Sequence, residues 1–126
     1  MKILIVDDSM MVRNSLKRML EASGLPDLKI RMAPNGEKGL SLFEEDTPDI
    51  LIADLLMPVL DGTEMVRQLS DIKHRCFITV LSSNFQKPVK DRLLRLGAHL
   101  FTEKPITDEK LSHILKEFEK FRTSLS

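Results

Sequence analysis

The sequence predicts an open, doubly wound α/β fold, with five mostly parallel strands and helices on both faces of the sheet. Residues 3–6 are all large aliphatics, and so are five of the seven residues 50–56. Such runs without polar alternation are typical of strands buried on both faces. Apolar residues at helical spacing follow each strand-like run, and five such alternations in 126 residues predict one domain over residues 1–126.

Each predicted strand is a short apolar run that polar or turn-forming residues bring to an end. The runs that meet this description are residues 3–6, 28–33, 50–56, 76–81 and 99–102. Pro58 ends the central strand, because proline has no N–H to donate to a neighbouring strand. The second and fifth runs are the least apolar, which predicts that they are weaker strands.

The helices between the strands are marked by their first residues and by apolar stripes. Residues suited to a helix start or to the turn before it are Ser9, Asn35, Asp61, Pro88 and Thr107. The stripes are Val12, Leu16, Met19 and Leu20; Leu40 and Phe43; Met65, Val66 and Leu69; Val89, Leu93 and Leu96; and Leu111, Ile114, Leu115 and Phe118. Gly24 and Gly97 offer stops for the first and fourth helices.

Composition excludes several classes of function. Nineteen basic and nineteen acidic residues cancel, so no overall basic field recruits nucleic acid or an anionic membrane. The apolar runs are too short for a signal peptide or a membrane span, which predicts a soluble, cytoplasmic protein. The single cysteine, Cys76, cannot form an internal disulfide and is expected to be a buried, inert thiol.

Polar side chains stand where four of the five strands end. Asp7 and Asp8 follow the first strand, Asp54 lies at the end of the third, Ser82 follows the fourth and Lys104 comes just after the fifth. In doubly wound sheets, ligands bind beyond the carboxyl ends of the strands. The sequence therefore predicts that these five residues converge on one edge of the sheet.

Their chemistry favours a phosphoryl group beside a divalent cation. Converging carboxylates repel one another unless a cation lies between them, and an oxygen-only donor set suits Mg²⁺. With Lys104 on the other side, a phosphoryl group is stabilised between the two positive charges, and Asp54 is the best candidate for the nucleophile. Taken singly, Asp54 and Ser82 could be turn residues and Lys104 a solvated surface lysine.

The three histidines, His74, His99 and His113, are too scattered for ligands and are expected at the surface or an interface.

Taken together, these motifs resemble the response-regulator receiver domain of two-component signalling, over essentially the whole chain. The matching stretches are Val6-Asp7-Asp8-Ser9, Asn35-Gly36, Asp54-Leu55-Leu56-Met57-Pro58, Asp61-Gly62, Leu81-Ser82-Ser83, Gly97-Ala98 and Lys104-Pro105. The resemblance implies a flavodoxin-like (βα)₅ fold with strand order 2-1-3-4-5. It also implies a switch that catalyses only its own phosphorylation and dephosphorylation.

The same resemblance assigns roles to individual residues. Asp54 would be the phosphoacceptor, and Asp8, Asp54 and the backbone carbonyl of Leu56 would hold Mg²⁺. Asp7 would act on the metal mostly through water, and Lys104 would pair with the phosphoryl oxygens. Ser82 would turn its hydroxyl onto the phosphoryl group, and a further residue, Phe101, would rotate inward as the coupled aromatic.

The implied partners are proteins. The donor would be a sensor histidine kinase or a phosphotransfer protein, and the chain would act on a downstream protein target as a monomer or as a phosphorylation-dependent dimer. No direct contact with nucleic acid or membrane is implied. The exposed candidates on the implied output face, formed by the fourth helix, fifth strand and fifth helix, are Lys90, Arg92, Arg95, His99, Lys110 and Glu117.

Some features depart from the family pattern or leave alternatives open. Serine at position 82 replaces the commoner threonine, and Leu56 and Asn84 flank the site where the family adjusts the lifetime of the acyl phosphate. The chain ends soon after the last helix, which suggests a stand-alone receiver, and residues 6–13 look similar to the chemotaxis branch. A cut from a longer regulator would leave the same polar ending, residues 123–126.

Two other classes of function are weighed against the switch. A Mg²⁺-dependent phosphohydrolase would want an acid/base aspartate two residues after its nucleophile, where this chain has Leu56. A phosphorylation-independent interaction module would not need the chemistry of Asp8, Asp54 and Lys104, all of which are present.

Overall fold

The chain forms five strands that alternate with five helices. The computed structural model describes residues 1–125, so Ser126, which the predicted domain 1–126 and its polar ending include, lies outside the described residues. The strands are β1 (Lys2–Val6), β2 (Lys29–Ala33), β3 (Ile50–Asp54), β4 (Phe77–Ser82) and β5 (Leu100–Glu103). The helices are α1 (Met10–Ala22), α2 (Gly36–Glu45), α3 (Gly62–Leu69), α4 (Lys87–Arg95) and α5 (Asp108–Ser124).

All five strands belong to one parallel sheet, in the order β2-β1-β3-β4-β5. This order confirms the predicted doubly wound, flavodoxin-like fold. The order reverses beside β1, where the chain first adds β2 on one side and then crosses to add β3 on the other. The carboxyl ends of β1 and β3 are therefore neighbours, which is where such sheets bind ligands.

Alternation along each strand sends side chains into two separate cores. Leu4, Leu51 and Ile78 pack on one face with residues from α2, α3 and α4. Ile3 and Ile50, which belong to the same strands, pack on the other face with residues from α1 and α5. All of these side chains are buried, and burying each one contributes about 1.5–3 kcal/mol. The unbroken aliphatic runs are thus explained by a sheet that is covered on both sides.

Most helices begin at the residue that the sequence predicts. Ser9 accepts a hydrogen bond from Val12 N, and Asn35, Asp61 and Thr107 accept in the same way from the amides three residues ahead. Such a cap satisfies one of the backbone donors left unpaired at a helix start. Among the helices formed by residues 1–125, only α4 begins without a side-chain cap.

The two later strands lie one residue further along the chain than their hydropathy predicts. The predicted strands were residues 76–81 and 99–102, whereas β4 is Phe77–Ser82 and β5 is Leu100–Glu103. The added residues are polar and pair with each other, Ser82 with Glu103. Backbone hydrogen bonds therefore extend these strands beyond their apolar runs. No helix within residues 1–125 has the length and apolar content needed to cross a membrane.

Candidate functional site

The structure brings Asp7, Asp54 and Lys104 into direct contact at the carboxyl edge of the sheet. Lys104 Nζ lies 2.9 Å from Asp7 Oδ2 and 3.3 Å from Asp54 Oδ1. Both carboxylates are buried, with side chains 0% and 8% exposed, whereas the lysine side chain is 19% exposed. The lysine thus lies between two buried carboxylates and the solvent.

Strand register explains why these residues meet. Asp7 directly follows β1, and its amide donates to the carbonyl of Ala33 at the end of β2. Asp54 is the last residue of β3 and pairs with Leu81 of β4. Lys104 follows β5, and its amide donates to the carbonyl of Ser82. Parallel strands that end at the same level therefore place their terminal side chains together.

The two adjacent aspartates differ in environment. Asp7 is fully buried, and its Oδ1 atom accepts from the amide of Ser9 at 2.9 Å. Asp8 is exposed. The two neighbouring carboxylates therefore lie in different environments, Asp7 inside the protein and Asp8 in solvent.

The acidic residues form a set that fits a divalent cation. One carboxylate oxygen from each of Asp7, Asp8 and Asp54 lies within 4.8 Å of the other two. Asp7 Oδ2 is buried and has no hydrogen-bond partner among the described residues, although the Lys104 ammonium lies 2.9 Å away as an ion-pair partner. A set of oxygen donors that includes a buried atom with free acceptor capacity suits Mg²⁺.

The environment shifts the proton affinities of two residues at the site. Burial, reinforced by the charge of Asp7 and opposed by that of Lys104, raises the pKa of Asp54 from 3.8 to about 6. For Lys104, burial alone acts to lower the pKa, but the contacts with Asp7 and Asp54 outweigh burial and leave the pKa raised. Asp54 is therefore largely ionised at neutral pH, and Lys104 remains a cation.

Ser82 is placed at this edge, but its hydroxyl is engaged in its own loop. The side chain is the last of β4 and is buried. Its Oγ donates to the carbonyl of Asn84 at 3.0 Å and accepts from the amide of Asn84 at 3.2 Å. The hydroxyl must leave this turn before it can donate to a group on Asp54.

The loop after β3 is folded tightly against Asp54. Gly62 donates its amide to the carbonyl of Leu55 at 2.8 Å. A Cβ on Gly62 would overlap the carbonyl oxygen of Asp54 and lie 2.9 Å from Leu55 Cα. Only glycine therefore allows α3 to start this close to the end of β3. In the same loop Val59 has a φ of 71°, in the left-handed region that β-branched residues rarely adopt.

The output-face candidates are less exposed than the sequence predicts. Arg92, Arg95 and His99 are exposed as predicted, but Lys90, Lys110 and Glu117 are only partly exposed. Lys110 donates to the carbonyls of Glu103 and Pro105, so its ammonium helps to hold the turn between β5 and α5. The prediction that all six side chains are exposed was therefore wrong for Lys90, Lys110 and Glu117, which are partly covered.

Two of the three histidines, and the single cysteine, make contacts inside the fold. His74 Nδ1 accepts from the amide of Cys76, and His99 Nδ1 accepts from the amide of Ile78. Burial lowers the pKa of both imidazoles. Cys76 is buried, as predicted, and burial raises the pKa of its thiol.

The sequence analysis missed two features around the site. Arg13 Nη1 donates to the backbone carbonyl of Asp7 at 2.7 Å, and this bond helps to fix the position of the Asp7 backbone. Large apolar side chains also lie exposed near the acidic residues in the chain, namely Met10 (65%) and Met11 (81%) at the start of α1 and Leu56 (73%) and Val59 (74%) in the loop after β3. We refer to these four residues as the apolar rim. In the sequence, the pair Met10-Met11 soon after Asp7 and Asp8 was the signal that could have predicted it.

Comparisons with known proteins agree with the geometry. The family model described as the response regulator receiver domain matches residues 3–116. The response regulator MprA of Mycobacterium avium (strain 104) is 36% identical over 111 residues, which cover 88% of this chain and 47% of that protein. MprA of Mycobacterium leprae (strain TN) gives the same identity and coverage. The chain thus spans about half the length of these curated relatives.

Solved structures give the same result. The N-terminal domain of an uncharacterised protein (WS1339) from Wolinella succinogenes superposes with a TM-score of 0.85 at 30% identity, covering 100% of this chain and 99% of that one. The chemotaxis protein CheY4 of Vibrio cholerae superposes with a TM-score of 0.81 at 28% identity, covering 93% of this chain and 97% of that one.

Proposed function

Because the chain belongs to the response regulator receiver domain family, we propose that it is a signalling switch that accepts a phosphoryl group on Asp54. The observation that carries this proposal is the contact of the buried Asp54 carboxylate with Lys104 beside two further carboxylates. When a carboxylate attacks phosphorus, the negative charge on the phosphoryl oxygens must be stabilised, and the Lys104 ammonium is a cation close enough to do so. The family is that of a signalling switch rather than a metabolic enzyme.

The transfer is proposed to use Asp54 as the attacking group. An ionised Asp54 oxygen attacks the phosphorus of a phosphohistidine, and the P–N bond breaks as the new P–O bond forms. The electron pair of the broken bond returns to the imidazole nitrogen, which then takes a proton from water. The Lys104 ammonium, 3.3 Å from Asp54 Oδ1, is placed to neutralise the transferred oxygens.

Mg²⁺ is the proposed cofactor. Asp8, Asp54 and the backbone carbonyl of Leu56 would hold it, and the buried Asp7 would complete the site, mostly through water. When bound, the ion supplies positive charge that offsets both the repulsion among the carboxylates and the charge of the phosphoryl group. The support for this assignment is the oxygen-only donor set and the buried Asp7 Oδ2 that lacks a hydrogen bond.

The switch itself is proposed to depend on Ser82 and Phe101. A phosphoryl group on Asp54 adds strong acceptor oxygens next to the end of β4, and the Ser82 hydroxyl exchanges its bond with Asn84 for one of them. The loop after β4 moves with Ser82 and opens space for the half-buried ring of Phe101. The output face of α4, β5 and α5 thereby changes shape for a protein partner.

The phosphoryl donor is proposed to be a histidine kinase or a phosphotransfer protein that docks on the apolar rim. Met10 and Met11 start α1 soon after Asp7 and Asp8, and Leu56 and Val59 follow Asp54 in the loop after β3, while the Asp54 carboxylate itself is buried. A projecting helix that carries the phosphohistidine can cover this rim and place its imidazole at Asp54. The downstream target and the likeness to the chemotaxis branch stay predictions.

Intact mass after incubation with Mg²⁺ and acetyl phosphate tests the proposed function. We expect the mass of one added phosphoryl group in the native chain and none in Asp54→Asn or in the presence of a chelator. Asp61→Asn is the matched control, because Asp61 lies in the loop after β3 and Asn can still cap α3. This control is expected to be labelled like the native chain.

Other outcomes would identify a different function. A stable adduct on a serine or histidine would overturn the assignment of Asp54. Steady release of phosphate from acetyl phosphate at enzymatic rates would favour the phosphohydrolase. Substituting Met11 by Lys is expected to leave labelling by acetyl phosphate unchanged but to slow labelling by a phosphohistidine protein, because only the protein donor touches the rim.

A further inference from the structure

Two aromatic rings and one ammonium group meet between α4 and β5. The rings of Phe85 and Phe101 pack edge to face, with centroids 5.4 Å apart and an angle of 67° between their planes. Lys90 Nζ lies 5.5 Å from the centroid of Phe85 and 5.8 Å from that of Phe101. Both distances are within the range of a cation–π contact. We refer to Phe85, Lys90 and Phe101 as the aromatic clamp.

The clamp joins the loop after β4 to two other elements. Phe85 directly follows Asn84, the residue that exchanges two hydrogen bonds with Ser82. Lys90 belongs to α4, and Phe101 belongs to β5. Because Phe85 is the next residue in the chain, a movement of the Ser82–Asn84 turn is expected to move Phe85 as well.

The start of α4 depends on such contacts more than the other helix starts do. Gln86, at its N-terminal boundary, makes no side-chain capping bond, whereas α1, α2, α3 and α5 are all capped by side chains. An uncapped start leaves backbone donors to water and lowers the resistance of the first turn to rearrangement. Phe85 and Lys90 therefore provide side-chain contacts that hold this segment against β5.

We propose that the aromatic clamp holds the loop after β4 in its unphosphorylated arrangement, so that Phe85 and Lys90 are positioning residues for the switch. This inference rests on the proposed function. When the Ser82 hydroxyl leaves Asn84 for a phosphoryl oxygen, Phe85 moves with the turn and loses its contact with Phe101. The clamp is thus made in one state and broken in the other, and it opposes phosphorylation.

Substitutions that weaken the clamp are therefore expected to speed phosphorylation. We expect Lys90→Gln and Phe85→Leu to be labelled by acetyl phosphate and Mg²⁺ about two- to fivefold faster than the native chain, as the strength of one such contact implies. Lys90→Arg keeps a cation over the rings and is expected to retain the native rate. Lys87→Gln is the matched control, because Lys87 is an exposed lysine of the same helix that pairs with Asp91.

A second readout separates a positioning role from a general change in stability. In chains labelled with 4-fluorophenylalanine, the ¹⁹F resonance of Phe101, assigned with Phe101→Leu, reports the state of its ring. Unphosphorylated Lys90→Gln is expected to shift this resonance towards its position in the phosphorylated native chain. Lys87→Gln is expected to leave it unchanged.

Failure of the clamp and failure of the proposed function give different results. If the native chain is labelled on Asp54 but Lys90→Gln shows the native rate and an unshifted Phe101 resonance, the clamp is refuted and the switch stands. If the native chain takes no phosphoryl group at all, the proposed function fails and the clamp fails with it.

Discussion

Lys104 Nζ lies 3.3 Å from Asp54 Oδ1, although β4 lies between the strands that position the two residues. The lysine follows β5 and reaches across the end of β4 to the end of β3. Its ammonium also meets Asp7, so one cation compensates two buried carboxylates. The charge balance of the whole edge therefore depends on this side chain.

Replacing Lys104 with Met should destabilise the metal-free protein by about 3 kcal/mol at neutral pH, because it leaves Asp7 and Asp54 buried without a cation. Urea unfolding measures the change. The comparison variant is Lys2→Met, which breaks an ion pair with Asp46 whose partners are 43% and 49% exposed. That loss should be much smaller, because water screens an exposed ion pair. Equal losses in the two variants would contradict the structural importance of the Lys104 contacts.

The raised pKa of Asp54 predicts a pH dependence of stability. A carboxyl with a folded pKa of about 6 and an ordinary value of 3.8 binds its proton more tightly when folded. Its contribution to stability is complete below pH 3.8 and is lost as the pH rises through 6.

In the presence of a chelator, Asp54→Asn should therefore be more stable than the native chain at pH 7 to 8, by on the order of 1–3 kcal/mol. The difference should shrink as the pH falls below 6. Urea unfolding at a series of pH values measures it, with Asp61→Asn as the exposed control. A difference that stays constant with pH would show that the titration of Asp54 is not its cause.

Gly62→Ala should damage both stability and phosphorylation. The added methyl group meets the backbone of Asp54 and Leu55, which cannot move without displacing the end of β3. We expect a loss of about 2–3 kcal/mol in unfolding free energy and slower labelling by acetyl phosphate. In Gly24→Ala the methyl group meets nothing within 4 Å, and only the φ of 80° opposes it. This second variant should lose about 1 kcal/mol and be labelled at the native rate.

Val59→Gly should stabilise the chain. Val59 has a φ of 71° and is 74% exposed, so glycine relieves backbone strain while removing little buried surface. We expect a gain of about 0.5–1 kcal/mol, partly offset by the greater flexibility of glycine when unfolded. Thermal unfolding measures the gain. A lower melting temperature would mean that the Val59 side chain makes contacts that outweigh the strain.

The sequence predicted the layers of the fold because each layer is encoded locally. Unbroken aliphatic runs such as residues 50–53 have no exposed face, and helical stripes such as Leu111, Ile114 and Phe118 have one buried face. These periodicities depend only on neighbouring residues. The polar residues at the strand ends were predictable for the same reason, since a parallel sheet gathers its carboxyl ends at one edge.

Other features depend on side chains that approach one another only after folding. Nothing in the local pattern shows that Asp7 is buried while Asp8 is exposed, or that the Ser82 hydroxyl is engaged by Asn84. The packing of Phe85 on Phe101 also joins a loop to a strand that lies beyond α4.

The fold class, the strand ends and the chemical character of the edge therefore follow from the order of residues alone. Which carboxylate is buried, which residues Lys104 contacts and what holds the loop after β4 depend on how the folded chain packs. The physical reason is that periodicity and capping act between near neighbours in the chain, whereas burial, ion pairing and ring packing act between atoms that strand register and helix packing bring together.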